Sequence, residues 1–175
     1  MIWIFGDSFA TSIDSESWVS NIGEITNFAS NGSSEYRILK TYLDQQSNIS
    51  KNDIVIFVHT SPSRIYLKND KTISSRTLNT HGKCDIIFND IFEKKEKEYI
   101  AILESIWDDQ YFDDMFDLIV DRLQIPNSIH ITFFESSRTD LVNLNHIWLA
   151  NQGTINHMSV DGNKLVADII TQLTH

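Results

Sequence analysis

Apolar residues along this chain come in short blocks, and the period inside each block differs from one block to the next. The first, MIWIF over 1–5, is continuous and stops at Gly6, as a buried strand does. ITNFAS over 25–30 predicts a second short strand, with Asn31-Gly32 after it as a turn. The period then lengthens. Ser33 or Ser34 caps a helix through EYRILKTYLDQQ, with Tyr36, Leu39, Tyr42 and Leu43 on one face. Behind Asp53, IVIFV over 54–58 is unbroken and β-branched, as a central parallel strand buried on both faces should be.

Residues 59–92 lose any period and contain Ser61-Pro62 and His81-Gly82, which predicts an irregular excursion. From Glu93 a helical stripe returns. Tyr99, Ile100, Leu103, Ile106, Trp107, Phe112, Met115, Phe116, Ile119, Val120 and Leu123 recur at spacings of three and four. This is one long helix or two broken near 108–111, ending before Pro126. SIHITFFE over 128–135 predicts another strand. SVDGNKLVADIITQL over 159–173 predicts an amphipathic helix with Leu165, Val166, Ile169, Ile170 and Leu173 inward. Strands alternating with helices predict an α/β fold, a three-layer α/β/α sandwich with a central parallel sheet of flavodoxin-like type. No repeat, linker or low-complexity stretch divides the chain, so 1–175 reads as one domain.

Composition narrows the function classes. At 175 residues, with 41% hydrophobic and 22% charged, the chain can enclose one good core. A net charge of −10 opposes binding to a phosphate backbone, so no nucleic-acid partner is expected. The acids crowd 104–121 (ESIWDDQYFDDMFDLIVD), interleaved with apolar residues as on the solvated face of a helix. No apolar run approaches the ~18 residues of a membrane span, and the start lacks a basic, cleavable leader. A cytoplasmic protein, or one on a particle assembled in the cytosol, with no membrane partner, is the expectation. Cys84 is the sole cysteine, so no intrachain disulfide can form. His81, His130, His146 and His175 show no metal-ligand spacing, and neither metal nor cofactor is expected.

Candidate chemistry gathers where parallel sheets bind ligands, at the carboxyl ends of their strands. Gly6-Asp7-Ser8 follows the first strand, Asn31-Gly32 the second and His59-Thr60-Ser61 the third, while INHMS over 155–159 precedes the last helix. Ser8 is either a nucleophile or the polar part of a strand-ending turn. If a nucleophile, it needs a base, for which His157 is placed, and oxyanion donors, for which the N–H groups of Ser8 and Gly32 are placed. Asp7 reads as a hydrogen-bonding turn residue, and His59 as a structural histidine near the site.

This ordered set resembles the SGNH, or GDSL-type, hydrolases, including members found in phages. IFGDSF matches their serine block, NFASNGSS over 27–34 their glycine block with Gly32 as oxyanion donor, and NHMSVDGNKLVADII over 156–170 their histidine block. The resemblance implies a serine esterase with Ser8 as nucleophile and His157 as general base. Two positions depart from the family pattern. Its third block carries an oxyanion Asn, where this chain has VHTSPSR over 58–64; Ser61 or Thr60 offers a hydroxyl instead, with Arg64 adding charge nearby. The family also places an Asp three residues before its histidine, where Thr154 stands; Thr154, Asn156, a backbone carbonyl or an acid from elsewhere then orients the ring. The expected activity is cleavage of a short acyl ester on a small molecule or glycan, such as an O-acetyl group. A catalytically silent binding or particle-associated module, or a sugar O-acyltransferase, fits the same residues.

Overall fold

In a computed structural model the described residues are 1–11, 17–62, 64–67, 71–74, 109–153 and 158–174. Five strands build a wholly parallel, open sheet: β1 (Ile2–Gly6), β2 (Ile25–Asn27), β3 (Ile54–His59), β6 (Ser128–Thr132) and β7 (Val142–Asn143), in the order β2-β1-β3-β6-β7. This is the flavodoxin-like order, which reverses direction at β1/β3 and opens a crevice there. Among the described residues four α-helices accompany it: α1 (Glu35–Gln45), α2 (Asp109–Leu123), α3 (Asn145–Ala150) and α4 (Val160–Thr174).

Strand alternation divides the core into two layers. Trp3, Phe5, Val55 and Phe57 face one side and pack with Ile38 of α1 and Ile119 and Leu123 of α2. Ile4, Ile56, Val58 and Ile131 face the other side and pack with Ile147 of α3 and Val166, Ala167 and Ile170 of α4. The continuous hydrophobicity of β1 and β3 follows from this two-sided burial. Ser34 is the N-cap of α1, its hydroxyl accepting the Arg37 N–H at 3.3 Å.

Several expectations are corrected. Part of the excursion at 59–92 is regular: β4 (Arg64–Leu67) and β5 (Lys71–Ser74) pair antiparallel as a separate hairpin. Residues 75–108 lie outside the described set, and with them the stripe from Tyr99 to Trp107. On α1 the buried apolar residue is Ile38, with Leu39 and Tyr42 packed beside it, whereas Tyr36 and Leu43 are exposed. On α4, Leu165 and Leu173 are exposed and Gly162, Val166, Ala167 and Ile170 are buried. Met115 likewise points outward from α2. The strand expected over 128–135 ends at Thr132, where the chain bends and the Phe134 N–H donates back to the Thr132 hydroxyl at 3.1 Å. β7 and α3 carry no strong period and were not predicted. The acids of α2 do face solvent: Asp113, Asp114, Asp117 and Asp121 are all exposed.

Candidate functional site

The carboxyl ends of β1 and β3 come together at Gly6 and Val58, which are register partners. After Gly6, Asp7 is extended and fully buried, and its carboxylate accepts from three donors, with the Glu35 carboxylate opposing its charge. Oδ1 accepts the Phe9 N–H at 3.0 Å, which caps a 3-10 turn over Ser8–Ala10. Oδ2 accepts the Thr60 hydroxyl and Arg64 Nη1, each at 3.1 Å. Arg64 Nη1 also donates to the Ser33 carbonyl at 3.3 Å, joining the β2–α1 loop to the same point. Burial pushes the Asp7 carboxyl up from its ordinary value, and Arg64, the Phe9 N–H and the Thr60 hydroxyl pull it back.

Ser8 follows directly, half-buried, and its Oγ has no hydrogen-bond partner among the described residues. The β2–α1 loop lies alongside. Ser30 N–H donates to the Gly6 carbonyl at 3.0 Å, and Thr11 Oγ1 contacts both the Ser8 carbonyl and Asn31 Oδ1. Asn27 Nδ2 donates to the Ala10 carbonyl at 2.8 Å, closing the loop onto the Ser8 turn. Gly32 has φ 67°, the left-handed conformation that glycine enters without cost. The serine and glycine blocks therefore meet at one corner of the sheet.

Thr154, Asn156 and His157 lie outside the described residues. The positions flanking them are pinned: Gln152 and Met158 form an antiparallel bridge, and Ser159 N–H donates to the Asn151 carbonyl at 2.7 Å. Met158 shares its hydrophobic cluster with Phe9, the neighbour of Ser8. Of the two hydroxyls considered for the oxyanion, that of Thr60 is donated to Asp7 and has no hydrogen left to give. Ser61 lines an open groove of about 840 Å³ beside the site. Phe116, Phe134, Trp148 and Asn145 line that groove too, along with Asp113, Asp117, Glu135 and Arg138. Phe134 and Trp148 both meet the Phe9 ring edge-on, at 5.7 and 5.5 Å between centroids. Arg138 ties the groove wall together through Asp117, Asp121 and Asp140, and these carboxylates hold its proton more firmly than usual.

Sequence reasoning placed His59 near the site and missed its company. His59 is fully buried, with Nδ1 2.6 Å from Glu35 Oε1 and Nε2 2.8 Å from His130 Nδ1. His130 Nε2 continues to Ser128 Oγ at 2.9 Å, and Glu35 Oε2 accepts the Thr60 N–H at 3.1 Å. The period of two explains half of this line. It puts Phe57 and His59 on one face of β3 and Ser128 and His130 on the matching face of β6, with Phe57 and His130 in register. Burial and the neighbouring His59 lower the His130 imidazole to about 4. Glu35 arrives from above, as the first residue of α1.

Among the described residues, no group of three or more His, Cys, Asp or Glu is arranged to hold a metal ion. No described helix is long and apolar enough to cross a membrane. Comparison with protein-family models and with curated proteins finds no match to this chain.

Proposed function

We propose that the chain is a serine esterase of the SGNH type, acting on a short acyl ester of a small molecule or glycan. One observation carries the reading. A fully buried, triply hydrogen-bonded Asp7 holds a tight turn that presents Ser8, with its hydroxyl unpartnered among the described residues, at the topological switch point β1/β3. The left-handed Gly32 turn beside it supports the resemblance of the glycine block.

In this reading His157 takes the Ser8 hydroxyl proton while Oγ attacks the ester carbonyl. The N–H groups of Ser8 and Gly32 receive the oxyanion. Collapse of the tetrahedral intermediate expels the alcohol, which leaves with the proton from His157. Water, deprotonated by the same histidine, then releases the acid and restores Ser8. The groove beside Ser61 is open and polar enough for the alcohol portion of the substrate.

A fluorophosphonate probe tests this directly. Labelling should fall on Ser8 alone, and Ser8→Ala should lower turnover of a short-chain aryl ester by about 10³-fold or more. Labelling elsewhere, or undiminished turnover, overturns the reading. Because Thr60 donates its hydroxyl to Asp7, a third oxyanion donor is not in hand from that residue, and this favours the silent binding module as second reading. That module would show no labelling in the intact, folded protein.

A further inference from the structure

Beneath the site the polar side chains of Ser128, His130, His59 and Glu35 touch in an unbroken line, and chemistry sets the direction of the bonds. Ser128 has one hydroxyl hydrogen, and the Ile125 carbonyl 2.7 Å away can only accept it. His130 Nε2, at 2.9 Å from the same oxygen, must then carry a hydrogen and donate it. A second hydrogen lies between His130 Nδ1 and His59 Nε2, at 2.8 Å. A third lies between His59 Nδ1 and Glu35 Oε1, because two lone pairs would repel at 2.6 Å. Two neutral imidazoles and a carboxylate supply only two of these three hydrogens. One further proton therefore resides on this trio, and it makes the buried group neutral as a whole.

We propose that Glu35, His59 and His130 share that single proton as a buried relay, and that the relay holds Thr60 and Asp7 in place beneath Ser8. The path upward is continuous: Glu35 Oε2 holds the Thr60 N–H, the Thr60 hydroxyl holds Asp7 Oδ2, and Asp7 Oδ1 holds the Phe9 N–H of the Ser8 turn. These are positioning residues, since none of them touches Ser8 Oγ. Neutrality is what lets the line lie buried, because an isolated charge there would be costly to desolvate. Around it, α2 presents the Phe116 ring, 5.9 Å from the His59 ring, and β3 presents Phe57. The charged groups that bear on it are Asp7 and Arg64 at the upper end, and Asp140 and Arg138 near His130. Only the consequence for Ser8 rests on the esterase reading.

Nuclear magnetic resonance of the whole protein tests both halves. The wild type should show three slowly exchanging downfield protons in the contacts among Ser128, His130, His59 and Glu35. Glu35→Gln can satisfy every contact with a neutral His59, its amide donating to Nδ1 and its carbonyl accepting the Thr60 N–H. It should therefore fold, keep the Phe9 amide protected and lose one of the three signals. An equal number of signals in the two proteins overturns the shared proton. Thr60→Val cuts the path above Glu35 and should speed Phe9 amide exchange about tenfold while leaving the three signals in place. Unchanged Phe9 exchange overturns the positioning role. A protein that is unlabelled at Ser8 refutes the esterase reading alone, and these two outcomes still decide the relay.

Discussion

At Gly6, β1 and β3 lie against each other under the serine turn with no room for a side chain. A Cβ at this position would lie 2.7 Å from Val58 Cβ, 3.1 Å from the Val58 carbonyl oxygen and 3.2 Å from Ala10 Cβ. The obstacles are strand backbone and a short side chain, neither of which can swing away. Gly6→Ala should therefore cost about 1–3 kcal/mol in urea unfolding and slow probe labelling of Ser8, by prying the turn from β3. A variant as stable and as reactive as the wild type would show that the turn does not depend on this contact. The sequence marked Gly6 as the end of a strand. That Val58 is the atom-level reason for a glycine here was not legible, because the two positions meet only through strand pairing.

At the scale of elements, α1 shows how a helix face can be misread. Apolar residues flank it on both sides, and hydrophobicity alone put Tyr36 and Leu43 inward. The stripe that packs is Glu35, Ile38, Leu39 and Tyr42, and its first member is a carboxylate. Glu35 is buried because His59 and the Thr60 N–H wait for it, and no hydropathy pattern can announce such a partner. Ile38→Ala should cost about 2–4 kcal/mol, whereas Leu43→Ala, at an exposed position, should stay within about 0.5 kcal/mol. Denaturant midpoints of the two variants check this, and equal losses would restore the rotated face. The last helix errs in the same way: Leu165 and Leu173 flank a buried line that starts at Gly162. There a Cβ would meet Asn151 Cβ at 2.7 Å, so the helix is placed by close approach as much as by apolar bulk.

For the whole molecule, the clearest consequence is the response to acid. Folding lowers the His130 imidazole from 6.5 to about 4, so between these values the unfolded chain charges His130 while the folded trio takes no proton beyond the one it shares. Stability should fall as pH drops through this window, by roughly 3 kcal/mol in all. Asp7, pushed upward by burial, works in the opposite sense from pH 3.8 upward, so the informative quantity is a difference between proteins. His130→Gln should flatten the decline in urea midpoint between pH 6.5 and 4 relative to wild type, and an unchanged slope would assign it to other groups. Below this window Asp53 takes over at the opposite end of the sheet. Its carboxylate accepts from the Met1 amine, Trp3 Nε1 and Ser50 N–H, which hold it below its usual range. The stability it contributes is present above pH 3.8 and is lost as pH falls through its lowered value.

The sequence by itself determined the order of the main elements, the parallel sheet and the strand ends after which Gly6-Asp7-Ser8 and the loop at Asn31-Gly32 follow. These follow from local signals, namely unbroken apolar runs, a capping serine, and glycines where strands must stop and turn. Only the tertiary structure decided that the two meet at one corner, and what lies under it. Residues 7, 35, 59, 60 and 130 are brought together by strand register and by a helix docking from above, and of these Glu35 and His130 look like ordinary polar residues in their own segments. A buried polar group is defined by the partner that satisfies it, and a partner distant in sequence leaves no trace in local pattern.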